Sequence, residues 1–229
     1  MIDTNTYKIG LKECNQNGFL TIKNMISLML DVSFDQARRV EKNIDMDNFA
    51  WMLYSWDLEI KRPIKDQEKI EISTIPTHMK RFYAYRQFHV KKDGEVIANA
   101  LAKFILFDKE KLRPAIIGKD LEEAYGRENQ NLFEKKVKKE EDFDQSKDIY
   151  IRKADKDING HVNNALYFDY IKEMGEFKDE NISFIKMVYK NEIRDEKKIH
   201  LSYKKADKVC SFSIDSPGKN HAYGEILYV

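Results

Sequence analysis

Apolar and polar positions follow two rhythms along this chain, one helical and one typical of strands. Between Thr21 and about Val40 the apolar residues recur every three to four positions, namely at Ile22, Met25, Ile26, Met29, Leu30, Phe34 and Ala37. This spacing puts them on one face of a helix, and Thr21 stands where an N-cap is expected. Residues 50–107 are rich in aromatic and β-branched side chains with alternating polarity, and a Lys-Asp-Gly-Glu turn at 92–95 joins two of their stretches. The pattern predicts a long helix followed by antiparallel strands.

The same order of elements returns after a charged interruption. From Gly126 to about Lys147 the chain is polar and has no sustained apolar period, as expected of a linker or a surface helix. Beyond it the pattern predicts a strand at 149–154 and then a helix from near Val162 to about Met174. Four more strands are predicted at 183–193, 197–205, 208–215 and 222–229. We therefore predict an N-terminal domain over residues 1–130, a linker over 131–147 and a C-terminal domain over 148–229.

Two pairs of segments indicate that the chain is internally duplicated. Asn-Gln-Asn-Gly at 15–18 and Asp-Ile-Asn-Gly at 157–160 each precede a predicted helix. Residues 68–73 align with 197–202, and the same offset places Pro63 opposite Glu192. The second half has Asp157, His161 and Glu192 where the first half has Asn15, Phe19 and Pro63. We expect an α+β fold of two tandem hotdog domains, each a long helix wrapped by an antiparallel β-sheet, with ionisable chemistry in one of them.

The segment before the second helix carries candidate catalytic residues. Asp157, Asn159 and His161 are two positions apart, so in an extended segment they would point to one side. The N–H groups at the start of the following helix would stabilise a developing oxyanion. No Gly-x-Ser-x-Gly motif supplies a nucleophilic serine, so water is the expected nucleophile. Histidine and glutamate both serve as general bases, and the sequence leaves the choice between His161 and Glu192 open.

Each candidate also has a structural interpretation. Asp157 is of a type that often forms turns or caps helices, Asn163 or Asn164 is expected to be such a cap, a single histidine is often structural, and Glu192 alone would be a solvated strand residue. Their side chains are also ligand types that zinc accepts. The five histidines show no paired-ligand spacing, so we expect neither a metal nor an organic cofactor.

The bulk composition excludes several classes of protein. The net charge is only +1, so the whole molecule has no strong field that would attract nucleic acid. Neither a signal peptide nor an apolar run long enough to insert into a membrane is present, and we expect a cytosolic protein, either a monomer or a homodimer. The two cysteines, Cys14 and Cys210, lie far apart and are expected to be buried or idle thiols.

Residues 152–173, followed by 187–196, resemble the acyl-acyl carrier protein (acyl-ACP) thioesterases of plants and bacteria. The motif Asp-x-Asn-x-His-Val-Asn-Asn before a helix and the later Tyr-x-x-Glu carry the resemblance, which extends over essentially the whole chain. It implies that the protein hydrolyses fatty acyl-ACP to free fatty acid, with a catalytic group formed by Asp157, Asn159, His161 and Glu192. Plant members have a cysteine after this glutamate, whereas this chain has Ile193, so a papain-like cysteine mechanism is excluded here.

The resemblance also implies an acyl slot and a docking surface for the acidic carrier protein. The first half is expected to hold the acyl chain, with lining candidates Met25, Met29, Trp51, Leu53, Trp56 and Phe104. Possible members of a basic docking patch are Lys80, Arg81, Arg86, Lys135, Lys136, Lys138, Lys139 and Lys186. The alternatives are an acyl-CoA thioesterase or a hydratase on the hotdog fold, and a non-catalytic module that binds acyl thioesters.

Overall fold

The computed structural model describes residues 1–126, 134–175 and 177–229, and the predicted domain boundary at 130/131 lies outside them. The helices are α1 (Ile22–Val40), α2 (Lys119–Tyr125) and α3 (Tyr167–Lys172). The strands of the first half are β1 (Asp3–Lys8), β2 (Phe49–Ile60), β3 (Lys69–Lys80), β4 (Tyr83–Lys92), β5 (Glu95–Asp108) and β6 (Arg113–Pro114). Those of the second half are β7 (Gln145–Tyr150), β8 (Ile182–Tyr189), β9 (Lys198–Ala206), β10 (Val209–Ser216) and β11 (Lys219–Tyr228).

The long helix α1 forms where the apolar spacing predicts it. The Thr21 hydroxyl caps it by accepting the Asn24 N–H at 3.2 Å. Its inner face packs on the sheet of the first half and includes the fully buried Met25, Ile26 and Met29. Since the apolar stripe and the cap agree, the predicted bounds of this helix are confirmed.

The strands form one antiparallel sheet that runs through both halves. Its order is β1-β3-β4-β5-β2-β8-β11-β10-β9-β7, with β6 beside β5. The predicted turn between β4 and β5 has positive φ at both Asp93 and Gly94, which matches the twist of a tight hairpin. The strand predicted at 149–154 is displaced, because β7 begins at Gln145, within the segment predicted as linker. Strand β1 and helix α2 were not predicted from the sequence.

The two halves meet where β2 pairs with β8. At this seam Lys186 of β8 and Asp57 of β2 form an ion pair of 2.5 Å whose side chains are almost fully buried. Burial raises the pKa of Asp57, against the opposing effect of the Lys186 ammonium. This buried ion pair therefore joins the two halves, and it can form only where β2 and β8 are paired.

Residues 134–142 cross the sheet as an extended strap. The strap contacts the strands in the order in which they lie in the sheet. The Lys135 N–H donates to Asp57 of β2. The ion pairs are Glu134 with Lys103 of β5, Lys135 with Glu225 of β11, Lys139 with Asp215 of β10, and Asp142 with Lys204 of β9. Most of these contacts are solvated ion pairs of small individual strength. The charge density of this segment thus reflects its path over both halves.

The helix of the second half is shorter than predicted. Val162 is extended, since its N–H donates to Ile193 O at 2.9 Å, and a 3₁₀ turn at Asn164–Leu166 precedes the six residues of α3. The Asn163 side chain caps this turn by accepting the Ala165 N–H, as predicted. Beyond α3 the chain turns, and Gly175 adopts a φ of 94°. The expectation of a long helix in each half is therefore wrong for the second.

Backbone hydrogen bonds show the duplication directly. In the first half Asn15 N–H donates to Phe19 O and Leu20 N–H to Ile64 O. In the second half Asp157 N–H donates to His161 O and Val162 N–H to Ile193 O. Because Ile64 and Ile193 occupy matching places, the predicted alignment of Pro63 with Glu192 is confirmed. Two helix-and-sheet units repeated in one chain form the predicted tandem hotdog, whose second helix is reduced.

Candidate active site

The candidate catalytic turn is a closed loop rather than an extended segment. Gly160 N–H donates to Asp157 O at 3.0 Å, and Asp157 N–H donates to His161 O at 2.9 Å. The Asp157 carboxylate accepts the Asn159 N–H at 2.8 Å. Gly160 has a φ of 79°, which a side chain would disfavour. The expectation that alternate residues of an extended segment face one side is wrong; the turn itself brings Asp157 and His161 together.

His161 lies between two carboxylates. Its Nδ1 is 3.5 Å from Asp157 Oδ2, and its Nε2 is 3.6 Å from Glu192 Oε1. The imidazole is mostly buried, at 18% exposure, whereas the Glu192 side chain is 38% exposed. The structure therefore places three of the four predicted site residues around one partly open position. A water molecule beside the His161–Glu192 gap can contact both side chains.

Asn159 stands at the exposed edge of this group. Its amide nitrogen is 3.4 Å from Asp157 Oδ2, so it borders the site without contacting His161. The helix N–H groups predicted to face the site are largely engaged, since Asn163 accepts the N–H groups of Ala165 and Leu166. The Asn159 amide is thus better placed than these N–H groups to donate a hydrogen bond to an oxyanion.

A second loop, residues 190–197, holds Glu192. Arg194 donates from its guanidinium to Glu192 Oε2 at 2.8 Å, which leaves the other carboxylate oxygen toward His161. Glu196 accepts the N–H groups of Arg194 and Asp195 at 2.7 and 3.1 Å. The buried His221 contacts Asn191 O through Nδ1 at 3.1 Å. These contacts fix the backbone on both sides of Glu192.

Burial and hydrogen bonding act in opposite directions on Glu196. Burial alone would raise its pKa, but backbone N–H groups, the Lys219 ammonium and the neighbouring His221 lower the pKa to about 2. The carboxylate is consequently charged throughout the physiological range. Sequence analysis missed Arg194, Glu196 and His221, since their roles depend on the fold of a loop with no periodic pattern.

The matching turn of the first half is hydrogen-bonded to residues of the second half. Asn15 Nδ2 and Asn17 Nδ2 donate to the Glu180 carboxylate at 3.0 and 2.7 Å. The buried Asp179 accepts the Ile22 N–H at the start of α1, at 2.9 Å, and also pairs with Lys172. The sister turn therefore joins the two halves, whereas the turn with His161 keeps its ionisable side chains near solvent.

A polar pocket adjoins the catalytic turn. Its volume is about 550 Å³ including the open mouth, and its lining consists of Lys23, Ser27, Ala154, Asp155, Lys156, Asp157, Asn163, Ala165 and Leu166. Lys23 and Ser27 come from α1, and Asp157 comes from the catalytic turn. Both halves therefore contribute to this pocket.

An apolar cleft lies farther along α1, between this helix and the sheet of the first half. It encloses about 410 Å³ including its mouth and is lined by Ser33, Phe34, Ala37, Trp51, Pro76, Met79, Ala84, Tyr85, Arg86, Phe104 and Tyr125. Of the predicted lining candidates, Trp51 and Phe104 border the cleft. Met25, Met29 and Trp56 are instead fully buried core, and Leu53 packs against that core.

Two members of the predicted docking patch are inside the protein. Lys186 is bound to Asp57 at the seam, and Arg86 is only 8% exposed. The resemblance implies that both belong to a basic surface that receives the acidic carrier protein. The patch predicted from the sequence is therefore wrong at these two positions.

Neither cysteine has the environment of a nucleophile. Both thiols are free, and burial raises the pKa of each, to about 12 for Cys210. Ile193, in the place of the plant cysteine, is fully buried. Among residues 1–126, 134–175 and 177–229 there is no group of three or more His, Cys, Asp or Glu side chains arranged to hold a metal.

The fold and the site define a tandem hotdog protein with an ionisable turn in its second half. Residues 2–125 match the family model of the acyl-ACP thioesterase N-terminal domain, and residues 137–228 match that of the C-terminal domain. The chain belongs to the acyl-ACP thioesterase family.

Known relatives agree with this assignment. A chloroplastic oleoyl-acyl carrier protein thioesterase of Coriandrum sativum is 25% identical over 193 residues, covering 73% of this chain and 50% of the relative. The chain thus spans about half the length of that relative. The 12:0-ACP thioesterase of Umbellularia californica has a TM-score of 0.88 at 16% identity, covering 100% of this chain and 97% of that one. An acyl-ACP thioesterase of Bacteroides thetaiotaomicron has a TM-score of 0.87 at 21% identity, covering 100% and 98%. These two likenesses show the fold.

No helix in the described part of the chain is long and apolar enough to cross a membrane. Location in the cytosol stays a prediction from the sequence.

Proposed function

We propose that this protein hydrolyses the thioester of fatty acyl-ACP and releases the free fatty acid. The observation that carries the proposal is His161, held by a closed turn between Asp157 and Glu192 beside a pocket that both halves line. A mostly buried imidazole flanked by carboxylates is suited to accept a proton from water. Family membership supplies the thioester as the bond to be cleaved.

In the proposed mechanism water attacks the thioester carbonyl carbon. Glu192, oriented by Arg194, holds this water while His161 Nε2 accepts its proton, and Asp157 stabilises the resulting imidazolium through Nδ1. The Asn159 amide donates a hydrogen bond to the carbonyl oxygen as negative charge develops on it. The carbon–sulfur bond then breaks, and the departing thiolate takes the proton from His161. The products are a carboxylic acid and the free thiol of the carrier.

The acyl chain is proposed to lie in the first half, in the apolar cleft beside α1. Trp51, Phe104 and Met79 give this cleft an apolar wall, and α1 leads to it from the polar pocket at the catalytic turn. This arrangement divides the work between a chain-holding N-terminal hotdog and a catalytic C-terminal hotdog, which is the division predicted for residues 1–130 and 148–229.

The carrier protein is proposed to dock on the rim of the catalytic turn. Lys153, Lys156 and Lys197 are exposed there. Lys156 donates to Arg194 O, which connects the turn to the Glu192 loop, and Ile158 at the tip of the turn is fully exposed. A basic rim with one apolar contact complements an acidic carrier. No tight cofactor is required, and the protein is proposed to act as a monomer or a homodimer.

The test is hydrolysis of one acyl chain presented on ACP and on CoA, with product analysis for hydration. We expect free fatty acid from acyl-ACP, a lower kcat/KM for acyl-CoA and no hydrated product. The variant His161→Ala should bind acyl-ACP with turnover reduced by at least about a hundredfold, the usual contribution of a general base. Preference for CoA would support an acyl-CoA thioesterase instead. Binding without turnover by the unmodified protein would indicate a binding module.

A further inference from the structure

The apolar cleft contains a buried cation. Arg86 is 8% exposed and borders the cleft together with Phe34, Trp51 and Tyr125. Burial lowers the pKa of its guanidinium, yet arginine stays protonated at neutral pH even in such surroundings. The slot proposed for a hydrocarbon chain therefore has a permanent positive charge in its wall.

The hydrogen-bond partners of this charge within the described residues are neutral, and the carboxylates of Glu41 and Asp3 act on it only from beyond ion-pairing distance. Arg86 NH1 donates to Gln36 Oε1 and to Thr74 Oγ1, the latter at 3.0 Å, and the guanidinium carbon lies 5.4 Å from the centre of the Tyr125 ring. No described carboxylate lies within ion-pairing distance of it. The nearby Glu41 carboxylate accepts the Trp51 indole N–H at 2.7 Å and the Tyr125 hydroxyl.

Donors exceed acceptors in this corner of the cleft. Arg86 interacts through hydrogen bonds with Gln36, Thr74 and the Tyr125 side chain, fewer partners than the five N–H groups of a guanidinium. Gln36 is fully buried, and its side-chain NH₂ group acts on the Asp3 carboxylate without a hydrogen bond of good geometry among the described residues. Buried donors without acceptors are destabilising, so the site favours a ligand that brings an oxygen acceptor.

The position of Arg86 decides which part of an acyl chain would meet it. Helix α1 borders the polar pocket with Ser27 and the apolar cleft with Ala37. At about 1.5 Å per residue, the separation of these two residues is about 15 Å along the helix. A thioester bound at His161 would therefore bring the far end of its acyl chain, rather than the carbons next to the carbonyl, towards Arg86.

We propose that Arg86 selects acyl chains whose far end carries an oxygen acceptor over saturated chains of equal length. A terminal carboxylate should be preferred to a terminal hydroxyl. A carboxylate would form an ion pair with the guanidinium and accept hydrogen bonds from its remaining N–H groups, whereas a methyl end can do neither. This inference rests on the proposed function for the thioester end of the substrate, and it names the substrate class for the other end.

The hydrolysis experiment compares saturated, ω-hydroxy and ω-carboxy acyl-ACPs of the same carbon number. We expect the unmodified protein to favour the ω-carboxy chain in kcat/KM by about tenfold or more, as charge-assisted hydrogen bonds allow. Arg86→Met, which keeps the length of the side chain without its charge, should abolish this preference and accelerate hydrolysis of the saturated chain. Arg86→Lys should keep part of the preference. The surface variant Arg62→Met is the matched control and should leave the ratio unchanged.

A binding measurement separates this inference from the proposed function. Quenching of Trp51 fluorescence would report binding of the monomethyl ester of a dicarboxylic acid and of the methyl ester of the equally long monocarboxylic acid. Tighter binding of the monomethyl ester of the dicarboxylic acid, if it is lost in Arg86→Met, supports the inference whether or not acyl-ACP is hydrolysed. Absence of acyl-ACP hydrolysis would contradict the proposed function alone. Equal binding and equal kcat/KM, or a preference that survives Arg86→Met in a variant with unchanged circular dichroism, would overturn the inference.

Discussion

At the scale of single residues, the candidate site is a set of side chains each held by a different local contact. The closed turn holds Asp157 and His161 together, and Arg194 holds the Glu192 carboxylate through one of its two oxygens. The distances of 3.5 and 3.6 Å around His161 are longer than good hydrogen bonds. Catalytic hydrogen bonds often tighten only when substrate binds, so these distances are compatible with a catalytic role for His161.

Arg194 is expected to be a positioning residue. Its replacement in Arg194→Met frees Glu192 Oε2 and lets the carboxylate rotate away from His161. We expect kcat to fall by about tenfold with KM for the acyl thioester little changed, because a misplaced group next to the chemistry reduces catalysis rather than ground-state binding. Arg194→Lys should restore part of the rate. An unchanged kcat in Arg194→Met would show that the Arg194 contact has no catalytic role.

Glu196 is expected to make the stability of the protein depend on acidic pH. Its folded-state pKa of about 2 lies below the value of about 4.3 for an unfolded chain. Its contribution to stability is therefore complete above about pH 4.3 and is lost as the pH falls towards 2. Glu196→Gln should lower the free energy of unfolding by about 1 to 2 kcal/mol at neutral pH and by much less near pH 2. Urea unfolding across this range measures the difference, and a difference independent of pH would contradict the assignment.

At the scale of elements, two turns of the same geometry have acquired different roles. Gly18 and Gly160 both have a φ of 79°, and a Cβ at either would meet no atom within 4 Å. The first turn binds Glu180 of the other half, whereas the second holds His161. A methyl group at either position would meet no neighbouring atom, so its only cost is the conformational strain of a residue with a Cβ at positive φ.

These glycines provide a matched pair of variants. Gly18→Ala and Gly160→Ala should each reduce the free energy of unfolding by about 1 to 2 kcal/mol, the cost of a left-handed conformation with a Cβ. Only Gly160→Ala should also reduce kcat, because its turn fixes His161. Chemical denaturation and initial hydrolysis rates would be measured together. Equal losses of activity in the two variants would mean that the second turn is not special to catalysis.

Sequence patterns predicted elements well where local signals agree. The apolar stripe and the Thr21 cap defined α1, and alternating polarity with a Lys-Asp-Gly-Glu turn defined β4 and β5. The second helix was predicted to start too early and to be too long, because the extended pairing of Val162 depends on Ile193, which is distant in sequence. The four site residues were found through a motif, but Arg194 and the burial of Arg86 and Lys186 depend on tertiary packing.

At the scale of the whole molecule, the halves are joined by one continuous sheet, a strap across it and a buried ion pair. Strands β2 and β8 pair at the seam, and Asp57 connects Lys186 with the backbone of Lys135 in the strap. Helix α1 begins against Asp179 of the second half and ends beside the cleft of the first. This continuity places the apolar cleft and the turn with His161 along the same helix.

The buried pair at the seam should be sensitive to removal of either member. Lys186→Met leaves the Asp57 charge buried without its counterion, and we expect a loss of about 3 to 5 kcal/mol in the free energy of unfolding. Adding Asp57→Asn, which still accepts the Lys135 N–H, should recover most of that loss. Urea denaturation of the two variants makes the comparison. Additive losses in the double variant would contradict a charge-pair role.

The central claim is that the turn of the second half carries out the chemistry. Its most direct test is the initial rate of fatty acid release from acyl-ACP, measured for His161→Ala and for Phe19→Ala at the matching position of the first half. The account predicts at least about a hundredfold loss for His161→Ala and a rate within a few fold of the unmodified protein for Phe19→Ala, with both variants folded. A near-normal rate for His161→Ala, or an equal loss in both, would contradict it.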